Sequence, residues 1–467
     1  MQVEFIPSDP ATRETVLGIL KQRFGDQLTT SDAIRKRHGK DESYHAAVSP
    51  DAVLFAHSTE NVVEAITICA EHKYPVIPFG VGTSLEGHVA ALRGGLCIDV
   101  SEMNHVIEVN AEDLDVTVQA GVKRKQLNEY LRDTGLFFPI DPGADATIGG
   151  MTATRASGTN AVRYGTMREN VLSLTVVTAS GRVVKTARRS RKSSSGYDLT
   201  RLFIGSEGTL GVITEITVKV YGIPESMTAA VCQFPDLESA VNTTIQTVQS
   251  GVPVARMELL DDVQMGAVIK YSKLAGYEEK PTLFFEFHGT QASATEQAET
   301  VQNIAEEFGG SAFQWTSQIE DRNKLWQARH DAYYAALALR PGCEGWATDV
   351  CVPVSCLAEC ISETKADLKG TGLIAPLVGH VGDGNFHLVY LINPDNQEEL
   401  DTAQAHSDRM VYRALSMGGT CTGEHGVGYG KMGFLQAEHG DALALMRSIK
   451  MAFDPDNIMN PGKIISI

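Results

Sequence analysis

Apolar and polar positions alternate with two different periods in the first part of the chain. The runs VLFA (53–56) and YPVIPFG (74–80) have the apolar composition of buried strands. Between them, residues 60–73 repeat apolar positions at helical spacing, and Ser58 and Thr59 precede this segment as candidate N-caps. The pattern predicts a strand–helix–strand unit that ends at Gly80.

The segments that follow are shorter, and most of them are predicted to be strands. Expected elements are strands at 96–100, 106–109 and 115–120, a helix at 123–135, a hairpin at 171–187 turning at Ser180 and Gly181, and a long strand at 209–223. A second series of strands and helices starts after Pro224 and runs through 229–308. This order predicts an α+β fold with two separate sheets.

Changes of pattern divide the 467 residues into four segments. We expect an N-terminal helical segment at 1–45, a first domain at 46–224, a second domain at 225–425 and a C-terminal helical segment at 426–467. A chain of this length exceeds a single hydrophobic core, so at least two domains are required.

Composition excludes some functions. The formal net charge of -18 argues against nucleic acid, because a duplex binder needs a basic face. An anionic substrate would therefore need a few cationic groups concentrated in a pocket. The N-terminal residues show no targeting signal and no apolar run is long enough to cross a membrane, so we expect a cytoplasmic protein, with peripheral membrane contact left open.

The eight cysteines show no disulfide framework. Cys351, Cys356 and Cys360 are close in sequence, but their spacing differs from that of ferredoxins. Small buried apolar residues are the favoured interpretation, ahead of an iron–sulfur cluster.

Three glycine-rich segments lie in the first domain, at 78–87, 142–166 and 205–215. Glycine allows a positive φ and a close approach of backbone N–H groups to an anion. The first segment, PFGVGTSLEG, fits neither the dinucleotide fingerprint nor the P-loop, which disfavours the usual NAD and ATP sites. Three such segments in one domain indicate a large cofactor rather than three unrelated turns.

Candidate metal ligands lie in the last third of the chain. In GHVGDGNFH (379–387), a hairpin with 382–385 as its loop would make His380 and His387 a cross-strand pair, suitably spaced for one divalent ion. Glu424 and His425, bracketed by glycines, offer further groups. Each histidine taken alone would more simply be a hydrogen-bonded core residue, but the combination favours a site.

At these motifs the sequence resembles a known family. PFGVGTSLEGH, GGMTATRASGTNAVRYGT, GSEGTLGVITE, GHVGDGNFH, TGEHGVGYGK and NPGKI, in this order, resemble FAD-linked dehydrogenases of the vanillyl-alcohol-oxidase (p-cresol methylhydroxylase type) superfamily. The likeness is strongest to the cytochrome-type D-lactate dehydrogenases, which are related to D-2-hydroxyglutarate dehydrogenase and the glycolate oxidase D subunit.

The resemblance implies a fold, cofactors and residue roles. The first domain would be an FAD-binding domain of two α+β subdomains, the second a substrate-binding cap with an antiparallel sheet, and the C-terminal segment would return to the FAD domain. His380, His387 and Glu424 would bind zinc or manganese, and His425 would be the catalytic base. FAD would contact Pro78, Gly80, Val81, Gly82, Thr83, Ser84, Gly87, Pro142, Thr147, Gly149, Gly150, Ala153, Ser157, Gly158, Gly208, Ile213 and Asn460.

The resemblance also implies that Arg329 binds the substrate carboxylate, which would supply the cation that the acidic composition requires. A solvent-exposed helix arginine is the alternative. Hydroxyglutarate dehydrogenases carry a lysine shortly before the aspartate that corresponds to Asp349, whereas this chain has Ala347 and Thr348. A D-2-hydroxy monocarboxylate, D-lactate first, is therefore expected. The first glycine loop lacks the histidine that often attaches flavin, so FAD is expected to be non-covalent, with His88 left open.

The expected reaction is metal-assisted removal of the hydroxyl proton with hydride transfer to flavin. D-2-hydroxyglutarate or glycolate oxidation, a non-redox flavin-dependent alkyl transferase and a metal-dependent hydrolase are the alternatives. Cytochrome, quinone, electron-transfer flavoprotein and oxygen all remain open as electron acceptors, and so does a homodimer. The basic segment 185–201 is expected to be a solvated connection, with a docking surface for an anionic partner or lipid as the alternative.

Overall fold

The computed structural model describes residues 8–467, which form two units. Unit 1 comprises the described part of Met1–Ser157 together with Gly165–Ile223 and Glu424–Ile467. Unit 2 comprises Gly158–Tyr164 and Pro224–Gly423. Of the predicted N-terminal helical segment, 1–45, the first seven residues lie outside the described residues.

Nineteen strands occur in the described residues. They are β1 (Leu28–Thr29), β2 (Ala52–Phe55), β3 (Val76–Phe79), β4 (Leu96–Asp99), β5 (Val106–Asn110), β6 (Asp115–Gln119), β7 (Leu136–Phe137), β8 (Val171–Val177), β9 (Val183–Lys185), β10 (Val212–Lys219), β11 (Tyr221–Gly222), β12 (Ser226–Gln233), β13 (Val254–Leu260), β14 (Thr282–Gly289), β15 (Ser311–Thr316), β16 (Glu344–Ala347), β17 (Val350–Cys351), β18 (Leu377–His380) and β19 (Asn385–Ile392).

Seventeen α-helices accompany these strands within residues 8–467. They are α1 (Pro10–Phe24), α2 (Asp32–His38), α3 (Thr59–Glu71), α4 (Arg124–Leu131), α5 (Ile148–Thr154), α6 (Ala161–Tyr164), α7 (Met167–Asn170), α8 (Leu199–Phe203), α9 (Leu237–Gln249), α10 (Asp262–Ser272), α11 (Gln291–Glu307), α12 (Ile319–His330), α13 (Ala332–Ala338), α14 (Leu357–Leu368), α15 (Gln397–Ser416), α16 (Leu435–His439) and α17 (Ala442–Phe453).

Unit 1 contains two main sheets. The first has the order β1-β2-β4-β3, and β2, β4 and β3 run parallel, as expected for the predicted strand–helix–strand unit. Ser58 caps α3 by accepting a hydrogen bond from the Asn61 N–H, which confirms its predicted role. The second sheet is antiparallel, in the order β5-β6-β10-β8-β9. One apolar core includes buried residues of both sheets, such as Leu54 and Ile216.

The C-terminal residues of unit 1 pair with its first parallel sheet. The Val76 N–H donates to the Ile458 carbonyl at 2.8 Å, and the Asn460 N–H donates to the Val76 carbonyl at 2.8 Å. The buried Lys450 side chain secures this segment through Asp454 and the Met459 carbonyl, both within 2.8 Å. These bonds hold the segment around Asn460 against β3.

Unit 2 is built on an eight-stranded sheet in the order β15-β12-β14-β13-β18-β19-β16, with β17 paired to β19. All of its pairings are antiparallel. Because strand side chains alternate between faces, Glu258 on β13 shares one face with Phe284 and Glu286 on β14. Helices α12 and α13 contribute Trp326 and Ala332 to the apolar cluster that includes Phe284.

Gly158–Tyr164, which was predicted within the FAD domain at 46–224, groups with unit 2 in the structure. The Arg256 Nε–H donates to Asn160 Oδ1 at 3.0 Å, and the Tyr164 hydroxyl lies 2.8 Å from His288 Nδ1. Long-range polar bonds of this kind leave no periodic signal in the sequence.

No helix among the described residues is both long and apolar enough to cross a membrane. The eight cysteines all lie within the described residues, and none of them forms a disulfide. No cluster of three or more potential ligands within residues 8–467 includes a cysteine, so the geometry gives no support to an iron–sulfur site.

Candidate active site

The first glycine-rich segment forms a half-exposed loop directly after β3. Gly82 has a φ of +71°, where a side chain would be strained. A Cβ on Gly80 would lie 2.4 Å from Thr147 Oγ1, and this hydroxyl caps α5 by accepting the Gly150 N–H. Gly80 therefore brings the first glycine-rich segment against the second.

The third segment reaches the same place in unit 1. A Cβ on Gly208 would lie 2.7 Å from Pro78 Cγ, and the Glu207 N–H donates to the Ala153 carbonyl at 2.9 Å. Asn460 donates through Nδ2 to the carbonyls of His88 and Glu207, at 3.1 and 2.7 Å. The three predicted cofactor segments thus share one region, with glycines where side chains would collide, and this cradle fits a large cofactor.

Asp41 was not predicted as a site residue. It lies outside the first glycine-rich loop and binds that region through hydrogen bonds. Its carboxylate accepts hydrogen bonds from Ser43, from the Ser84 hydroxyl at 3.1 Å and from the His88 N–H at 3.0 Å. The hydroxyl of Ser84, a predicted FAD contact, therefore donates to Asp41.

His88 is buried between carboxylates. Its Nε2 lies 3.3 Å from Glu207 Oε1 and its Nδ1 lies 4.0 Å from Asp41 Oδ2. Burial alone would lower the pKa of His88, but Glu207, Asp41 and Glu86 raise it above its ordinary value. The imidazole is thus held by ionic contacts in unit 1.

The buried Lys463 should make the stability of unit 1 depend on pH. It is 2% exposed and donates to the Ala90 carbonyl at 2.7 Å. Burial lowers the pKa of Lys463 to about 7, although Glu207 and Asp41 oppose this shift. Between that pH and the ordinary lysine value the unfolded chain binds the extra proton, so stability should rise with pH.

We therefore expect the melting temperature of the wild type, measured relative to that of Lys463→Met, to rise between pH 7 and 10. The lysine should contribute about 1 kcal/mol per pH unit in this window. Thermal unfolding of both proteins at saturating FAD measures the difference, and a gap that stays constant with pH would contradict the assignment.

Unit 2 presents the histidine pair on the strands β18 and β19. The predicted direct pairing of His380 with His387 is wrong, because His380 pairs with Asn385 and His387 pairs with Val378. The chain turns through Val381–Asp383 and Gly384, whose φ is +80°, so the loop starts one residue earlier than expected. The two histidines are diagonal neighbours on one face, with ring centroids 5.4 Å apart, still within reach of one ion.

Each histidine of the pair is oriented by a hydrogen bond at Nδ1. His380 Nδ1 lies 2.7 Å from Glu258 Oε1, and His387 Nδ1 lies 2.7 Å from the Thr348 carbonyl. A metal-binding imidazole usually has its second nitrogen held in this way. The pair thus directs both Nε2 atoms to the ligand role, and the donor set fits a borderline divalent ion such as zinc.

Arg329 is buried on α12, which contradicts the alternative of a surface arginine. Its Nη2 donates to Glu258 Oε2, whereas its Nε is buried without a hydrogen-bond partner among the described residues. Burial alone would raise the pKa of Glu258, but His380 and Arg329 lower it. An unsatisfied guanidinium N–H is costly, so an acceptor from a ligand would be favourable there.

The predicted Glu424 and His425 belong to unit 1. Glu424 follows Gly423, the last residue of unit 2, and a Cβ on Gly423 would lie 2.3 Å from Asn385 Nδ2. In unit 1, a Cβ on Gly426 would lie 2.7 Å from both Glu207 Oε1 and His88 Nε2. Glycines are thus required on both sides of the Glu424–His425 pair, while the roles of these two residues stay predictions.

Comparison with known proteins decides the family. A family model described as the C-terminal domain of FAD linked oxidases matches residues 223–464, and an FAD binding domain model matches residues 50–187. The first match alone covers more than half of the chain. The chain belongs to the FAD-linked oxidases. It is therefore an FAD-dependent oxidoreductase, which confirms the predicted family and cofactor.

The relatives of this FAD-linked oxidase include named dehydrogenases. The chain is 51% identical over 462 residues to the probable mitochondrial D-lactate dehydrogenase of Danio rerio, which covers 98% of this chain and 93% of that protein. It is 51% identical over 449 residues to the mitochondrial D-lactate dehydrogenase [cytochrome] of Arabidopsis thaliana, covering 96% and 79%. It is 32% identical over 445 residues to glycolate oxidase subunit GlcD of Bacillus subtilis, covering 94% of each.

Solved structures bear on the fold alone. The FAD-linked oxidase aligns with substrate-bound p-cresol methylhydroxylase at a TM-score of 0.82 and 18% identity, covering 99% of each chain. It aligns with alkyldihydroxyacetonephosphate synthase at a TM-score of 0.75 and 21% identity, covering 99% of this chain and 87% of that one. The predicted α+β fold of the p-cresol methylhydroxylase type is confirmed.

Glu258 is the residue of this FAD-linked oxidase that sequence reasoning should have found. It interrupts the apolar strand β13 and is 1% exposed. Carboxylates are almost never fully buried unless they are paired, so a glutamate inside an apolar strand is itself a signal. The contacts of Glu258 with His380 and Arg329 could not be predicted from the sequence, because only the tertiary fold brings these residues together.

Proposed function

We propose that this FAD-linked oxidase oxidises D-lactate to its 2-oxo acid, with a zinc or manganese ion held by His380, His387 and Glu424. The observation that carries the proposal is the buried connection in unit 2, where Glu258 joins a histidine of the metal pair to Arg329. Relatives named D-lactate dehydrogenase, 42–51% identical to this chain, support the choice of substrate.

The chain's own residues position the substrate and move one proton. Arg329 donates from Nε to the substrate carboxylate, which fixes the orientation of the neighbouring carbon. His425 accepts the proton of the 2-hydroxyl. A bound FAD supplies the hydride acceptor and a bound divalent ion supplies Lewis acidity. With the carboxylate fixed, only one enantiomer directs its hydrogen to the acceptor.

The segment before Asp349 supports a monocarboxylate. Ala347 ends β16, and Thr348 donates through its hydroxyl to the Leu388 carbonyl at 3.3 Å. A second carboxylate buried here would need a cation, because burying an unpaired charge is unfavourable. Ala347 and Thr348 are uncharged, so neither can supply it.

We therefore expect D-lactate to bleach the bound flavin under anaerobic conditions, with D-2-hydroxyglutarate, glycolate and L-lactate slower by about tenfold or more. The measurement is the flavin absorbance after mixing with each acid at equal concentration. A protein that stays oxidised with every acid would favour a non-redox reaction. A preference for D-2-hydroxyglutarate would contradict the substrate assignment.

Electrons must then pass to a separate acceptor. We propose a cytochrome as the first to be tested, ahead of quinone and electron-transfer flavoprotein, because several of the relatives carry cytochrome in their names. Non-covalent FAD, a cytoplasmic location, peripheral membrane contact and a homodimer stay predictions.

A further inference from the structure

We propose that Glu258 is a positioning residue that couples the metal ligand His380 to the substrate anchor Arg329. The inference rests on the proposed function and names a residue on which both halves of that site depend. It is drawn from contacts within unit 2.

Glu258 carries a charge in apolar, buried surroundings, where a charge is unfavourable without partners. Its strand neighbours Met257 and Leu259 point to the opposite face and are fully buried, and Phe284 lies beside it on β14. A carboxylate in such surroundings loses its hydration and is tolerated only with hydrogen-bonded or charged partners. The two available partners are the two residues that the proposed reaction needs.

Each oxygen of the Glu258 carboxylate serves one of these partners. Oε1 lies 2.7 Å from His380 Nδ1, and Oε2 accepts from Arg329 Nη2. Neither contact is local, since α12 carries Arg329 and β18 carries His380. A single rigid carboxylate therefore relates the positions of the two side chains to each other.

For His380, the carboxylate selects the tautomer. A proton held on Nδ1 by Glu258 directs Nε2 to the metal, and an anionic partner raises the basicity of the imidazole. His387 differs, because its Nδ1 faces the neutral Thr348 carbonyl at 2.7 Å and the Asp349 carboxylate lies farther away, at 3.7 Å. At His380 the carboxylate itself lies at hydrogen-bond distance from Nδ1.

The Glu258 carboxylate also determines which edge of the Arg329 guanidinium is left to bind the substrate. Glu258 engages Nη2, and Nε is buried with no partner in the described part of the chain. The ion pair also offsets the arginine charge while no substrate is bound, which lowers the cost of keeping a guanidinium in a buried place. A fixed guanidinium then needs little reorganisation when a carboxylate arrives.

A purely structural ion pair is the competing explanation, and the same sheet provides a matched control. Glu286 on β14 is also buried, its Oε1 lies 2.8 Å from His288 Nε2 and it lies 3.6 Å from Arg256 Nη1. Arg322 Nε lies 4.0 Å from the other carboxylate oxygen, so this cluster combines a glutamate, a histidine and two arginines without a predicted metal ligand. Glu286→Gln should affect packing as Glu258→Gln does, but not the site.

The test compares wild type, Glu258→Gln and Glu286→Gln as FAD-loaded full chains. Metal is removed by chelator, and Mn²⁺ binding is titrated by electron paramagnetic resonance. Flavin reduction by D-lactate is then measured at saturating Mn²⁺. For Glu258→Gln we expect Mn²⁺ affinity about 10–100-fold weaker and the KM for D-lactate raised about tenfold or more. Glu286→Gln should match wild type in both.

Three outcomes decide the matter. Native Mn²⁺ affinity and KM in Glu258→Gln, or equal losses in Glu286→Gln, would overturn the positioning role while leaving the proposed function intact. A wild type that neither binds Mn²⁺ nor is reduced by D-lactate would overturn both. Should Glu258→Gln lose FAD or fail to fold, Glu258→Asp keeps the charge but is too short for both partners, and it should show the same two losses.

Discussion

Replacing His425 with alanine is expected to slow anaerobic reduction of the flavin by D-lactate about 10²–10⁴-fold, the usual contribution of a general base. The substrate hydroxyl would then lose its proton acceptor, whereas Arg329 would still hold the carboxylate. KM should therefore change little while the limiting rate falls. FAD should stay bound, because the contacts that join the three glycine-rich segments do not involve His425.

Rapid mixing with D-lactate and following of the flavin absorbance measures this rate. His439→Ala, which changes a partly exposed histidine of the same C-terminal segment, is the control and should behave as wild type. Added imidazole should restore part of the lost rate. A native rate in His425→Ala at full flavin occupancy would assign the base elsewhere.

Replacing His387 with alanine is expected to remove the bound metal and to slow flavin reduction by about 100-fold or more. The loss follows from the several kcal/mol that Lewis-acid stabilisation contributes to such a reaction. His387 is buried and oriented by the Thr348 carbonyl, and its replacement takes away one of the three proposed ligands. Elemental analysis of the purified protein measures the metal.

His406→Gln provides the control for a histidine lost from unit 2. His406 is fully buried, with Nδ1 2.6 Å from the Tyr390 hydroxyl and Nε2 3.2 Å from the Thr364 carbonyl. Its replacement should lower the melting temperature but leave the metal in place. If His387→Ala keeps a full equivalent of metal, the proposed ligand set is wrong.

Local signals in the sequence identified local structure. A hydroxyl before an amphipathic segment can accept an orphan N–H, which predicts Ser58 as a helix cap, and Ser58 does accept the Asn61 N–H. Turn chemistry predicts the hairpin at Ser180 and Gly181, and Gly181 has the required positive φ of +72°. Such features depend on a few consecutive residues and need no knowledge of the remaining chain.

The sequence did not predict the exact register of the histidine hairpin or the contacts between distant residues. The loop after His380 was placed one residue too late, which shifted the strand register by two. Because strand side chains alternate, a shift of two leaves both histidines on one face, so the site survived the error; a shift of one would have separated them. Glu258, Asp41 and the contacts of Gly158–Tyr164 act through tertiary partners that no periodic pattern encodes.

The pairing of β3 with residues 458–460 has a consequence for protein synthesis. A strand made early in translation must wait for a partner about 380 residues later in the sequence before its hydrogen bonds are complete. Asn460, which joins the loops around His88 and Glu207, emerges at the same late stage. Closing so long a loop is slow, so a ribosome-bound nascent chain holds unit 1 unfinished until residues 458–460 have left the exit tunnel.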